Sequence, residues 1–374
     1  MKTTTNKILY LDYIKILLTV LVILHHVCVA YSSSGGWYFI QPSKLMGALI
    51  PMTLFVSVNQ SFFMGLFFFL AAYFTGASLR KKGIKNFLRD RLKRLGIPLL
   101  FYSLILSPAV NFIVYRFGKH NQVTFLEFIE GYDSWIDLGV LWFVAALLNF
   151  TLFYALLKWI KPNLTISIQL PGNGKLLLLA VAVGIITFAV RTIFPVGWSL
   201  DPLGFQFGHF TQYIVLFCAG LIAKNNSWLE DIDYKTTVRA GLLALFMIVF
   251  LFPLMVYIKN VLHSPISHFM GGLNVISLFY SIWEQIVGFA IIIALLGTGK
   301  KYWNKPFTFL DKLSRATFAT YIFHPLIVVS LTVALFEWPV EPGIKLLIVG
   351  PLSVAGSFLL AGLIIKIKVV NKII

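Results

Sequence analysis

Apolar residues fill this chain in long, nearly unbroken runs, and the runs have the length that crosses a bilayer rather than the broken stripe of a soluble amphipathic helix. Ten of them fall at roughly 10–31, 54–78, 97–117, 139–160, 175–195, 208–224, 240–259, 274–298, 316–336 and 344–366. They predict an all-α, polytopic integral membrane protein of about ten transmembrane helices. The longest connections, 32–53 and 118–138, hold about twenty residues each, so no soluble domain fits between spans. Residues 1–374 therefore read as a single membrane domain, and any site must be built by the bundle itself. No internal repeat pairs the first five spans with the last five. The short SSSGG tract at 32–36 is the one low-complexity segment.

The polar residues that interrupt these runs carry more information than the runs. The first, ILYLDYIKILLTVLVILHHVCVAY at 8–31, contains Asp12, Lys15, His25 and His26. Ionisable groups are expensive in a bilayer and point to function. At 100° per residue, Lys15 and His26 lie only about 20° apart around the helix, and Asp12 about 40° from His26. One stripe thus carries an acid, a base and a histidine over about 21 Å, while His25 faces about 100° away from His26. The bland alternatives are that Asp12 and Lys15 snorkel to the headgroups and that the histidines make interhelical hydrogen bonds. A secretory signal peptide, with Lys2 and Lys7 as its basic region, is disfavoured because the run is too long and is followed by more membrane.

Composition agrees with the pattern. Hydrophobic residues make up 59% and charged residues 12%, with a mean hydropathy of +0.86, far from soluble proteins. Cys28 and Cys218, the two cysteines, both lie in apolar runs, so neither a disulfide framework nor a thiolate metal site is expected. No metal is expected from the seven histidines either, since His25 and His26 are adjacent and none of the other five falls at paired helical ligand spacing. The net charge of +17 would suit nucleic acid in a soluble protein; here it reports loops facing an anionic leaflet, and no nucleic acid partner is expected. With the N-terminus placed in the cytoplasm, 24 loop lysines and arginines fall inside and 6 outside. That asymmetry predicts cytoplasmic termini at both ends of the chain.

Eight of those charges crowd into RKKGIKNFLRDRLKRLGIP at 80–98, with Asp90 as the only acid. A topogenic, lipid-contacting loop is the simple explanation. Arg91 and Arg94, however, are three residues apart and so share a helical face, and arginine's planar fork suits phosphate. A cytoplasmic ligand bearing phosphate is the corresponding hypothesis. Among other buried polar positions, Glu284 falls near mid-depth of the eighth span, where it could orient His26, line a channel, or form a structural interhelical pair. Arg191 near the outer end of the fifth span could neutralise an anionic acyl group or snorkel outward. His324 is expected to pack among helices. Trp37, Tyr38, Tyr132, Trp135 and Trp198 could stack on sugars, although aromatic belts explain such residues equally well.

Four motifs, in order along the chain, resemble those of the acyltransferase family 3 membrane proteins. Lys15-x10-His26, preceded by Leu11 and Asp12, is similar to the family's arginine-x10-histidine motif. FFFLAAYFTGASLRKKGIKNFLRDRLKRLGIPLL at 67–100 resembles its F-[FL]-x-[SA]-G-[YF] and R-x-x-R-[LI]-x-[IVL]-P stretches, with Ala71 and Ala72 where serine and glycine are usual. LWFVAALL at 141–148 and TYIFHPLIVV at 320–329 complete the set. The nearest likeness is to the periplasmic-glucan succinyltransferases and intercellular-adhesin polysaccharide modifiers.

This resemblance implies a membrane O-acyltransferase that moves an acyl group, acetyl or succinyl, from cytoplasmic acyl-coenzyme A to a hydroxyl of an extracytoplasmic polysaccharide. Acyl-coenzyme A would be co-substrate, a carbohydrate the acceptor and the plasma membrane of a bacterium the location, with the oligomeric state open. By position, His26 is the implied catalytic histidine and Lys15 its basic partner, with lysine standing where arginine is commoner. Arg91 and Arg94, with Lys93 between them, form the implied donor side. Glu284 joins the catalytic candidates, and Arg191 and Trp142 the substrate-side ones. Histidine, near neutrality in water, suits a general base for an attacking hydroxyl. The rival reading is a transporter or flippase of a glycan or lipid-linked intermediate, which should gather its polar residues around broken helices at mid-membrane.

Overall fold

In the computed structural model the described residues are 8–32 and 35–373, so Lys2 and Lys7 of the inside charge count, and Ser33 and Ser34 of the SSSGG tract, lie outside them. The apolar runs are helical: α1 (Leu9–Ser32), α2 (Met46–Gln60), α3 (Phe63–Arg91), α4 (92–118), α5 (Trp142–Ile160), α6 (Asn173–Arg191), α7 (Phe210–Asn225), α8 (Tyr234–Val261), α9 (Val275–Thr298), α10 (Thr308–Ala334) and α11 (Pro342–Ile364). A single bridge between Leu200 and Phe205 is the only β pairing among the described residues. Nine helical segments among them are long and apolar enough to cross a membrane. The second of these, Met46–Gly118, has 73 residues, or about 110 Å of helix, several times the hydrocarbon thickness. It holds two of the predicted spans, so the protein is an all-α, multi-pass membrane protein.

Packing places α1 at the centre, against α2, α3, α10 and α11. Leu11, Ile14, Leu18 and Val22 bury one side of it in the main core with Phe68, Phe69 and Tyr73 of α3. Ile23 and Val27 bury another side with Met52, Val328 and Val349. A helix apolar on all sides belongs in the interior of a bundle, which is where the first span's polar residues become accessible to several neighbours at once.

Two expectations are corrected, and the 118–138 connection is partly helical. The second predicted span, 54–78, starts at Met46 and is interrupted at Ser61 and Phe62 between α2 and α3. Asn59 Nδ2 donates to the Leu21 carbonyl at 3.2 Å, the Phe63 ring lies 5.0 Å from that of His25, and the Lys15 ammonium lies 5.1 Å over Phe74. Met52 of α2 clusters with Ile23 and Val27, and from Phe63 at His25 to Phe74 at Lys15 α3 runs antiparallel to α1, so α2 and the first half of α3 make one broken crossing. The basic segment, read as a loop, is helical, because Ile84, Phe87, Leu88 and Leu95 fall on one helical face and pack into the main core. Its one bend is Gly83, at φ 70° and ψ 163°, a backbone that glycine adopts without strain. The 118–138 connection contains a short helix, Phe125–Glu130, started by a capping box of Thr124 and Glu127.

The connections sort into two groups. Arg80 bonds Asn225, Asn226 bonds the Ile166 carbonyl, and Lys300 bonds the carbonyls of Glu230 and Ile232, which gathers 79–96, 158–175, 224–239 and 299–315 at the Lys15 end of α1. At the His26 end, Tyr38 meets Tyr102, Gln41 meets Phe336, and His120 meets Glu337. This is the alternation that the charge count predicted for the connections.

Candidate active site at the end of the first helix

In α10 the residue after His324 is Pro325, which has no N–H to give the carbonyl of Tyr321 four residues earlier. That orphaned carbonyl accepts instead from His324 Nδ1 at 2.7 Å. A carbonyl can only accept, so in the neutral ring the proton is on Nδ1 and the lone pair on Nε2. His324 Nε2 lies 3.0 Å from His26 Nδ1, which therefore donates. The lone pair of His26 is thereby left on Nε2. One proline on α10 has fixed the tautomer of a histidine on α1.

Trp37 covers this pair. Its ring stacks on His26 at 4.2 Å and 17°, and lies 6.3 Å from His324. The segment that carries it folds back over the end of α1, where Gln41 N–H and Ser43 N–H take the Ala30 and Tyr31 carbonyls at 2.8 Å each. Those are carbonyls that a helix terminus leaves without partners. Lys345, fully buried, holds the same segment to α11 by donating to Gln41 Oε1 at 3.1 Å and to the Leu335 and Phe336 carbonyls at 2.7 and 2.9 Å. Ser43 adds a hydrogen bond to the Glu341 carboxylate. His26 keeps partial exposure, whereas its neighbour His25 is buried against Phe63 and within 3.3 Å of Asn59 Nδ2.

Beyond Trp37 a cleft of about 1160 Å³ opens at the His26 end. Tyr38, edge-on to Trp37 at 5.2 Å, forms its inner limit. The far wall comes from α4 and the capped helix that follows it. Tyr38 bonds Tyr102 at 2.7 Å, and Asp137 is fixed by Gly139 N–H at 2.8 Å and by the Ser107 hydroxyl. Burial raises the Tyr38 phenol, helped by the Asp137 carboxylate, and burial raises Tyr132 as well, so both stay neutral. Glu127 is held below the usual carboxylate range by the Thr124 N–H and hydroxyl.

At the opposite end, Lys15 Nζ donates to Asp12 at 3.1 Å and lies over the Phe74 ring. The stripe between Lys15 and His26 is closed: Leu18, Thr19 and Val22 are exposed by no more than 1%. Arg91 lies 5.0 Å over Phe87, and its Nε has no hydrogen-bond partner among the described residues. Arg94 Nε is 3.2 Å from Asp90, which also takes Lys82 at 2.8 Å, while Lys93 is exposed.

Three of the expected site residues are elsewhere. Arg191 neither snorkels nor faces an acyl group: it is fully buried, with Nη2 2.6 Å from Glu284 Oε2 and Nε 3.0 Å from the Gly208 carbonyl. Nη2 also reaches His209 Nδ1 at 3.1 Å, so that nitrogen accepts and His209 is neutral rather than ion-paired with Glu284. Glu284 bonds Arg191 and Gln285, with no hydrogen bond to His26 among the described residues. Its charge is balanced by the guanidinium. Gln285 in turn holds Gln212, which bonds the Ser61 carbonyl at the break between α2 and α3. Trp142 stacks on Tyr213 at 5.7 Å, within the packing of α5 and α7, and does not line the cleft. Among the described residues no three potential metal ligands cluster. From sequence Trp37 reads as a sugar-stacking or belt residue rather than as the cover of His26, and His324 as packing; the Tyr-x-x-His-Pro order at 321–325 is the signal that singles out the second.

Known proteins share much of this chain. A family model described as an acyltransferase domain matches residues 8–362. "Glucans biosynthesis protein C" from Escherichia coli strain SMS-3-5 / SECEC is 30% identical over 161 residues, which is 41% of this chain and 40% of that protein. The protein of the same name from strain K12 is 30% identical over 159 residues, with the same two shares. The similarity thus spans two fifths of the length of these relatives. No solved structure matches.

Proposed function

Because the chain belongs to the acyltransferase family 3 of membrane proteins, we propose that it transfers an acyl group from acyl-coenzyme A to a hydroxyl of a cell-surface polysaccharide, with a bacterial plasma membrane as its location. The observation that carries the chemistry is the His26–His324 hydrogen bond, which leaves the Nε2 lone pair free on a ring that Trp37 stacks against, Trp37 in turn meeting Tyr38 of the cleft wall. A sugar hydroxyl, far too weak an acid to ionise at neutral pH, gives its proton to Nε2 as its oxygen bonds to the thioester carbonyl carbon. The carbon–sulfur bond of the tetrahedral intermediate then breaks, and the leaving sulfur takes the proton back from Nε2. The products are the acyl ester and free coenzyme A.

Two neighbours hold the His26 ring in place while Nε2 takes and returns the proton. His324 Nε2 accepts from Nδ1–H throughout, and the indole face attracts an imidazolium by about 0.5–2 kcal/mol. The donor belongs at the Lys15 end, where Arg91 keeps an Nε–H with no hydrogen-bond partner among the described residues. Because Leu18, Thr19 and Val22 close the stripe, the donor's arm reaches His26 only when α1 and its neighbours part. Polysaccharide as acceptor is supported by the glucan biosynthesis named in the two relatives. Transport, the rival, draws on the broken α2–α3 crossing and its buried glutamines. Those groups satisfy one another, and family membership favours transfer.

The test is to give purified protein in nanodiscs labelled acetyl- or succinyl-coenzyme A and a glucan oligosaccharide. Labelled ester with stoichiometric free coenzyme A supports the proposal. Movement of the glycan across the membrane without any ester would overturn it.

A further inference from the structure

The chain carries a net charge of +17 and only 14 acidic residues, yet Glu127, Asp133, Asp137 and Asp201 all line one cleft, with Lys119 as its single cation among the described residues. Its charge is opposite to that of the rest of the molecule. Its walls are aromatic as well: Tyr38, Tyr115, Phe128, Tyr132 and Trp135 contribute rings. Phe128 and Tyr132 are 5.4 Å apart and Tyr132 and Trp135 5.3 Å apart, a continuous run of rings along one side. Rings offer apolar faces to the C–H faces of sugars and attract cations. At about 1160 Å³ the cleft exceeds the usual volume of a small-molecule site, roughly 300–1,000 Å³, and has room for several sugar units. Its inner limit, Tyr38, touches Trp37, which stacks on His26.

We propose that this cleft is the acceptor subsite and that it selects a saccharide carrying protonated amino groups over its neutral N-acylated form, and excludes uronates and phosphorylated glycans. The acceptor role rests on the acyl-transfer reading; the charge selection does not. An ammonium finds carboxylates and ring faces in one cleft, while a carboxylate-bearing sugar meets like charge and loses hydration without gaining a partner. Asp133 and Asp201 are exposed and available to a ligand, whereas Asp137 is tied to Gly139 and Ser107.

Full-length protein in nanodiscs is titrated with three probes: a glucosamine oligomer, its N-acetylated counterpart and an oligogalacturonate. The expected order of affinity is the one given, with the preference for the free amine shrinking as salt is raised. Replacing both exposed acids, Asp133→Asn with Asp201→Asn, should weaken the glucosamine oligomer about 2- to 30-fold and bring the first two probes together. Equal affinity for all three probes, tighter binding of the uronate, or an unchanged amine preference in the double variant overturns the proposal. Amine-selective binding without ester formation would keep the cleft and sink acyl transfer; ester formation with no amine preference would do the reverse.

Discussion

His26 Nδ1 and His324 Nε2 are 3.0 Å apart, joining two residues separated by 298 positions on α1 and α10. The bond separates the roles of the two ring nitrogens of His26, with Nδ1 holding the ring in place and Nε2 free for chemistry. Replacing His324 by phenylalanine keeps a ring but removes the acceptor. Transfer should then fall about ten- to hundredfold, the worth of a hydrogen bond to a charged group, with the KM for donor unchanged. His324→Gln, whose amide oxygen can accept, should recover part of the rate. Steady-state kinetics of the two variants decide, and a full rate in His324→Phe would mean that the pair only packs.

The Arg191–Glu284 pair is predicted to be structural. Removing one partner strands a buried charge, so Arg191→Ala or Glu284→Ala should cost about 3–5 kcal/mol of stability, whereas Arg191→Met combined with Glu284→Leu should restore most of it. Thermal unfolding in detergent measures this. If Arg191→Ala were as stable as the parent, the arginine would be free for a ligand after all.

Much of the architecture was legible because membrane length and helical period are local properties. Lys15 and His26 share a face of α1 for reasons that their spacing alone supplies, and the alternation of basic loops predicted which connections gather at each end. What could not be read were the encounters between distant segments. No proline or glycine lies between Asn59 and Met64, so the break itself at Ser61 and Phe62 has no helix-breaking residue; Gln212, 151 residues away, is what satisfies the Ser61 carbonyl. Trp37 looked like any interfacial aromatic because the straps that fold it back, Lys345 and Glu341, come from the far end of the chain. Glu284 at mid-depth of a span was correctly recognised as costly, but its partner could not be named from sequence.

Orientation rests on charge and is directly measurable. In a background without Cys28 and Cys218, a cysteine at Ser134 should react with an impermeant maleimide in intact cells, and one at Asn86 only after permeabilisation. Both positions are exposed. The reverse pattern would invert the protein and place the basic segment away from cytoplasmic donors.

On the donor side, Arg91→Ala should weaken coenzyme A binding about ten- to hundredfold, as expected for a lost charge-assisted phosphate contact. Arg94→Ala should cost less, since Asp90 already engages its Nε. Titration of the purified variants reads both, and unchanged affinity in both would reduce the segment to a topological signal.

The most direct test compares the two adjacent histidines. They lie within about 1.5 Å in depth but face about 100° apart on α1, and only His26 meets His324 and Trp37. Single-turnover acyl transfer is measured for folded His26→Ala and His25→Ala protein loaded with labelled donor. Donor binding is expected in both, with transfer lowered by about 10²–10⁴ in His26→Ala and near-normal in His25→Ala. Full transfer by His26→Ala would contradict the assignment of His26 as the base.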